Sequence, residues 1–341
     1  MTSELPITLT SIANKLGLSA TTVSRVLSGQ AERYRISKKT QAVVLKETRR
    51  LDFSPNQLAR GLRLKRTHTL GVVIPDISNP FFASLVRYVE LEARKLGYAV
   101  LLCDSEERTD IEVASLRLMQ SRKVDGIITS PVGQSGEHLS SLHDAGLPVV
   151  IVDRYFPQMK LPFVSSDNFN GAVQGVSHLI ENGHRNIACI QGIPTSSPNI
   201  DRVNGYKAAL RKHHIKLLDN FIIGADFGRR NGYVSTKLLL KHTPRPTALF
   251  SVGNLITLGV LQAIAEEDLK VPDDISIVSF DEQPYSAFLA TPMTTIAQQI
   301  ETMGQIAVSM LLTQIESTGA PQSDGIQIPT QLITRQSVKM I

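Results

Sequence analysis

The sequence predicts a small N-terminal all-α head followed by an α/β body of two doubly wound lobes. Three observations lead there. Residues 1–67 carry 13 Lys and Arg against 4 Asp and Glu, a balance of +9, while the remaining residues balance to −4. Two short amphipathic segments within residues 8–29 are joined by a turn containing glycine. From residue 70 onward, short apolar runs alternate with helical patterns, which is how buried parallel strands and their crossover helices read.

The head comes first. In TLTSIANKLGLSATTVSRVLSG (8–29), Thr8 or Thr10 can cap a first helix whose Ile12, Ala13 and Leu16 face inward. Gly17 stops it, Leu18 plugs the turn, and Ser19 caps a second helix with Val23, Val26 and Leu27 inward before Gly29 ends it. This is the spacing of a helix-turn-helix. The basic balance of the head and the small Ala13 at the crossing favour a polyanion-binding unit over a bare helical hairpin. Such a second helix enters the major groove by its N-terminal residues, exposing Ala20, Thr21, Ser24 and Arg25. Arg25 suits a guanine edge, Ala20 and Thr21 a thymine methyl or base edge, and Ser19 and Thr22 the phosphates. A third helix, capped by Ser37, adds Val43, Val44 and Leu51 to a small core.

The stretch SPNQLARGLRLKRT (54–67) then carries Arg60, Arg63, Lys65 and Arg66 with no acidic residue. Asn56, or Ser54 before Pro55, can cap a two-turn helix, and Gly61 weakens it near its middle. A helix so short is marginal in water. It reads either as a solvated linker or as a segment that orders on a partner.

In the body, LGVVIPD (70–76), AVLLCDS (99–105), DGIITSP (125–131) and PVVIVDR (148–154) read as one set of parallel strands. NIACIQG (186–192), TALFSVG (247–253) and SIVSFDE (276–282) read as a second. Residues 81–97 and 110–124 are helices between strands of the first set. Two such lobes grip a small ligand at the carboxyl ends of their strands. The acidic residues ending strands, Asp76, Asp104, Asp153 and Asp281, then converge on the cleft mouth.

Other classes fit poorly. The turn after the first strand, PDISNPFF, lacks the glycines of a dinucleotide site, and no Walker, GxSxG or HExxH motif occurs. His184, His213 and His214 read as surface histidines. Cys103 and Cys189 lie in apolar runs and read as buried free thiols, which with the absence of a secretory signal points to the cytoplasm. No segment approaches the roughly 18 apolar residues of a membrane span. No cofactor or metal is expected.

The sequence resembles the lactose-repressor family of bacterial transcription regulators. The residues that carry the resemblance are TLTSIANKLGLSATTVSRVLSG, LDFSPNQLARGL and LGVVIPDISNPFF, and the pattern extends over nearly the whole chain. QAERYRIS and ARGLR also resemble the fructose-repressor branch, in the head alone. The resemblance implies domains at 1–53 (helix-turn-helix), 54–68 (hinge helix and linker) and 69–341 (periplasmic-binding-protein-like body, type I, with three crossover strands). It implies that residues 56–64 form a hinge helix that pairs with its dimer mate in the minor groove. There Leu62 is the wedge, Ala59 lies near the groove floor, and Asn56, Arg60 and Arg63 also face DNA. It places an effector against Asn79, Phe81, Phe82, Arg202, Phe227, Asn254, Asp281 and Gln298. Two head positions depart from the family, Ser11 for an acidic residue and Phe53 for Tyr. At residues 253–254 the chain has Gly-Asn where the family often has Asn-Asp. The implied function is a repressor of a carbohydrate-related operon, controlled by a sugar. Arg154 with Arg229 or Arg230 leaves a sugar phosphate open. No leucine-heptad tail follows the last strand, so a homodimer is expected. The alternatives are a carbohydrate-binding module without DNA activity, or a sugar-processing enzyme.

Overall fold

The structure is a computed structural model that describes residues 8–51, 53, 66–317 and 325–341. It divides into two compact units, one ending at Thr67 and the other beginning at His68.

The first unit holds three helices, α1 (Leu9–Leu16), α2 (Ala20–Leu27) and α3 (Lys38–Arg50). Thr8 caps α1 in a reciprocal box: its hydroxyl accepts from the Ser11 amide at 3.1 Å, and the Ser11 hydroxyl accepts from the Thr8 amide at 2.9 Å. Ser11 thus does the work of the acidic residue it replaces. Gly17 takes the left-handed conformation at φ 65° and turns the chain into α2, whose cap Ser19 accepts from the Thr22 amide at 3.0 Å. Ile12, Ala13, Val23, Val26, Ala31 and Val44 form the core, with Leu18, Leu51 and Phe53 packed against it. Val43 does not belong there: it is 43% exposed. The stripe of α3 runs Val44, Thr48, Leu51, and the buried Thr48 hydroxyl donates to the Val44 carbonyl at 3.0 Å. Adjacent valines cannot both face inward on a helix, and the 3.6-residue period selects the one aligned with Thr48.

The second unit contains two six-stranded sheets. The first has the order β11-β5-β4-β3-β1-β2, with β1 (Thr69–Ile74), β2 (Ala99–Asp104), β3 (Gly126–Thr129), β4 (Val149–Val152), β5 (Phe163–Ser166) and β11 (Gly325–Ile328) all parallel. The second has the order β12-β10-β9-β8-β6-β7, built from β6 (Ile187–Ile190), β7 (Ile222–Ile223), β8 (Ala248–Ser251), β9 (Ser276–Phe280), β10 (Thr294–Ala297) and the antiparallel β12 (Gln331–Ile333). The seven strands expected from the apolar runs are all present. The chain passes between the lobes three times, after β5, after β10 and after β11, as the three-crossover expectation requires.

Strand β1 shows how the core is divided. Leu70, Val72 and Ile74 face one side, where α4 (Pro80–Lys95) and α11 (Ile300–Glu316) cover them. Val73 faces the other, toward Leu116 and Met119 of α5 (Thr109–Ser121) and Leu139 of α6 (Glu137–Asp144). Period-two alternation with both faces covered gives a continuous apolar run. The second lobe is packed by α7 (Asn168–Glu181), α8 (Ser197–Lys212), α9 (Arg229–Leu239) and α10 (Asn254–Glu266).

Two expectations need correction. His184 is buried at 1% exposure, its Nδ1 lying 2.9 Å from the Thr247 hydroxyl, and burial lowers its pKa. Cys189 is a buried free thiol, but Cys103 is only half-buried because β2 is an edge strand. Among the described residues no helix is long and apolar enough to cross a membrane, and no group of three or more His, Cys, Asp or Glu could hold a metal.

The head is small enough for one cavity to undo it. Ile12→Ala removes a fully buried side chain, at a cost of about 2–5 kcal/mol. Amide hydrogen exchange across α1–α3 is expected to lose its protection while the thermal transition of the body is unchanged. Equal loss in both units would contradict their independence.

Candidate functional site

One cavity lies where the strands of the two lobes end. Asn79, Phe81, Phe82, Asp153, Arg154, Pro198, Arg202, Phe227, Gly253, Asn254, Asp281 and Gln298 line it. All eight residues expected around an effector are therefore brought together. The sequence missed Pro198 and noted Gly253 only as a departure from the family pattern. It flagged Asp153 and Arg154 only as a strand-ending acid and a spare cation.

Each side chain arrives for a local reason. Asn79 caps α4, its Oδ1 accepting from the Phe81 amide at 3.1 Å, and Pro80 at the first helical position fixes the entry. Phe81 and Phe82 follow with rings edge-to-face, centroids 5.1 Å apart. Asp153 and Asp281 end β4 and β9 in the left-handed region, at φ 63° and 75°. Aspartate tolerates that region better than most residues, and the turn aims each carboxylate into the cleft. Asp76 and Asp104 do not join them. Asp76 accepts from the Ser78 amide at 2.8 Å, and Asp104 accepts from the Ile77 amide at 2.9 Å, so both staple turns.

Arg202 is the centre of the site. It is 3% exposed, donates from Nε to Asn168 Oδ1 at 2.8 Å and from Nη1 to the Val252 carbonyl at 2.7 Å, and lies 3.8 Å over the Phe280 ring. Burial lowers its pKa, and the Asp281 and Asp153 carboxylates oppose that. Asp281 Oδ1 accepts from Gln298 Nε2 at 2.6 Å, and Gln298 Oε1 accepts from the Ser166 hydroxyl at 2.6 Å. Asp281 Oδ2 accepts from the Asn254 amide at 3.3 Å. Asn254 Nδ2 spans the cleft to Asn79 Oδ1 at 3.0 Å, tying one lobe to the other.

Arg154, 7% exposed, lies between the Phe82 and Phe227 rings, 5.8 and 5.6 Å from their centroids, and is bound bidentately by Glu107 at 2.7 and 2.5 Å. Burial works against its charge, yet Glu107 keeps its pKa raised. Arg229 and Arg230 are not in this cavity; they border a separate pocket with Tyr233 and Gln262. Outside the cleft, the Tyr155 amide donates to the Ser197 hydroxyl at 2.8 Å and the Tyr155 hydroxyl to Asp201 at 3.1 Å, a second tie between lobes.

In the head, Ala20 and Thr21 are exposed at the start of α2, and Thr22, Ser24 and Arg25 are half-buried. The Ser19 and Thr22 hydroxyls lie 2.8 Å apart, and the Arg25 guanidinium sits 3.7 Å from the Tyr34 ring centroid. The loop segment QAERYRIS thereby supplies a platform that orders Arg25. Asn56, Ala59, Arg60, Leu62 and Arg63, with the expected hinge helix, lie outside the described residues.

A helix-turn-helix unit followed by a two-lobed body with a polar cleft defines a ligand-responsive DNA-binding regulator. Residues 8–56 match the bacterial regulatory proteins of the lacI family, and residues 176–338 match the periplasmic binding protein-like domain. The chain is 33% identical to catabolite control protein A of Priestia megaterium, over 98% of this chain and 99% of that protein. It is 32% identical to the ribose operon repressor of Halalkalibacterium halodurans, over 97% of each. Among solved structures it resembles the Lac repressor bound to ONPG in the repressed state, with TM-score 0.86 and 26% identity, over 98% of this chain and all of that one. The chain belongs to the lacI family of bacterial regulatory proteins.

Asp153 gives a pH-dependent signature. Burial pushes its pKa up to about 6, against the pull of Arg202 and then Arg154. A carboxyl raised in the folded state destabilises the fold as pH rises from its ordinary value toward 6, and the penalty persists above that. Asp153→Asn is therefore expected to raise the melting temperature of the unliganded protein at pH 7.5 and to lose that advantage near pH 4. A gain independent of pH would show that the ionised carboxylate is not the cause.

Proposed function

We propose that the protein represses a carbohydrate-related operon as a cytoplasmic homodimer, and that a small neutral sugar in the cleft controls its grip on operator DNA. It is proposed as a binding protein and not an enzyme. The observation that carries the sugar reading is the charge balance of the cavity. Its two arginines are matched by Asp153, Asp281 and Glu107, so no cation is left over for a phosphate. Carboxylates and amides that accept and donate, beside Phe81, Phe82 and Phe227, suit ring hydroxyls and C–H faces. A sugar phosphate would face a site already net negative. The relative named as a ribose operon repressor supports the same chemistry. No serine, cysteine or lysine lines the cavity, and the Asp281 carboxylate is held by the Gln298 side chain and the Asn254 amide, which supports binding over turnover.

The homodimer reading is supported by Val234 and Leu238 on α9, 44% and 47% exposed, and by Leu102 on edge strand β2, 37% exposed. Two heads would then read a two-fold-related site, with half-sites set by the dimer axis. A sugar that favours one angle between the lobes would change the spacing of the chains leading to the heads, and the coupling is reciprocal.

The test is a mobility shift on the DNA upstream of the protein's own gene, with and without sugars. Arg25→Ala is expected to weaken binding by about 1–3 kcal/mol and relax base preference at one position. An unchanged preference in a binding-site selection would remove Arg25 from base reading. Arg202→Ala is expected to abolish the sugar response while sparing operator affinity measured without sugar. Loss of operator affinity in a folded Arg202→Ala protein would contradict two separate sites.

A further inference from the structure

Tyr34 is not explained by the fold of the head. It is 41% exposed and lies outside the core formed by Ile12, Val23, Val26 and Val44. Among the described residues its hydroxyl has no partner. What its ring meets is a cation. The Arg25 guanidinium carbon lies 3.7 Å from the ring centroid, while Arg33 stands off at 5.9 Å. Only a guanidinium lying flat on a ring comes as close as Arg25 does. The loop between α2 and α3 fixes the ring there. It starts from Arg25 itself, whose carbonyl accepts from the Gln30 amide at 3.0 Å. Ala31, 5% exposed, anchors the loop in the core, and the Ile36 amide closes it by donating to the Ala31 carbonyl at 2.9 Å. The Tyr34 amide donates to the Gln30 carbonyl at 3.3 Å. Arg35 then takes φ 52°, a left-handed backbone that a long side chain seldom adopts. That reversal returns Ile36 to the core and leaves Tyr34 outside it. The loop thus holds, at some cost in strain, a ring that neither core packing nor hydrogen bonding requires.

Stacking covers one face of the guanidinium and leaves its in-plane N–H edges free. Those edges are what guanine O6 and N7 accept from, so stacking and base reading are compatible. An unsupported arginine rotates about its bonds and reaches several bases and phosphates. One laid on a ring keeps its plane and offers its donors in one direction. The benefit falls on discrimination between bases more than on attachment, because phosphates accept from many directions and carry no sequence information. We propose that Tyr34 is a specificity-determining residue of the head: it contacts no base itself and acts by holding Arg25 in the plane that matches a single guanine. The inference rests on the reading of Arg25 as a base reader given above, and adds the residue that makes that reading selective.

The experiment uses the full chain and a library of random duplexes. Binding-site selection is run on the wild type, Tyr34→Ala, Tyr34→Phe, Arg25→Ala and the double variant Tyr34→Ala/Arg25→Ala. Affinities are then measured for the wild-type site, for that site changed at the base pair Arg25→Ala relaxes, and for a scrambled duplex. Tyr34→Ala is expected to relax preference at the same base pair as Arg25→Ala, with discrimination there falling about three- to tenfold. Its affinity for the scrambled duplex and its salt slope are expected to match the wild type. Tyr34→Phe is expected to keep the wild-type preference, because the ring does the work. In the double variant Tyr34→Ala is expected to add nothing to Arg25→Ala. A wild-type preference in Tyr34→Ala overturns the inference. Full additivity in the double variant, or a reduced salt slope, overturns it by showing that Tyr34 contacts DNA directly. A Tyr34→Phe protein as relaxed as Tyr34→Ala overturns the role of the ring. Loss of amide protection across α1–α3 in Tyr34→Ala overturns it in favour of a structural role. An unchanged preference in Arg25→Ala removes the base-reading role of Arg25, and this inference with it.

Discussion

A guanidinium buried to 3% exposure is the constraint around which the body is arranged. Such a charge is costly unless it is paired and hydrogen-bonded. Arg202 meets that requirement with a side-chain amide, a backbone carbonyl, an aromatic face and two carboxylates nearby. The partners come from four elements: Asn168 opens α7, Val252 follows β8, Phe280 ends β9 with Asp281 directly after it, and Asp153 follows β4. Neutralising one cation therefore gathers the carboxyl ends of strands from both lobes. The result is a polar floor on which hydroxyls can replace some of the internal partners, while an added negative charge cannot be balanced.

The same network makes the cleft mechanically informative. Asn168 donates from Nδ2 to the Ser166 carbonyl at 3.1 Å, and the Ser166 hydroxyl donates to Gln298, which holds Asp281. Ser166 and Asn168 flank the first passage between lobes, and Gln298 lies on the second. Groups that touch the cavity are thus bonded directly to the chain segments about which the lobes would turn. Asn79–Asn254 in the cleft and Tyr155–Ser197 outside it tie the lobes with neutral hydrogen bonds. Each is worth about 1 kcal/mol. A ligand can exchange with bonds of that strength, so the angle between lobes can respond to occupancy without disturbing either core.

Much of this was legible because the strands are buried on both faces and end in recognisable acids. The apolar runs gave seven of the described strands, and the resemblance gave eight of the twelve residues that line the cavity. The shortfalls have physical reasons. Strands β5, β10, β11 and β12 mix polar with apolar residues, so no run announces them. Asp76 and Asp104 end strands just as Asp153 and Asp281 do, and only the turn geometry separates a staple from a lining group. His184 read as exposed because it follows Gly183 in a turn beside Arg185, yet tertiary packing buried it. On α3 the apolar pair Val43–Val44 hid the true stripe, which continues through the polar Thr48. The role of Tyr34 under Arg25 has no sequence signal, since a stacking platform on a loop follows no period.

Division of labour between the fold and its specificity follows from where the demands fall. Positions that neutralise Arg202 are fixed by the energy of a buried charge, and changing one leaves that charge exposed to loss of a partner. Arg154 is held by Glu107 in the same way, so neither arginine can be re-used for a new ligand without a compensating change. Gly253 is under no such demand: it has extended backbone, ordinary clearance and no cap bond. A cleft built on an obligatory charge network can therefore change its ligand at such a position at little cost to stability.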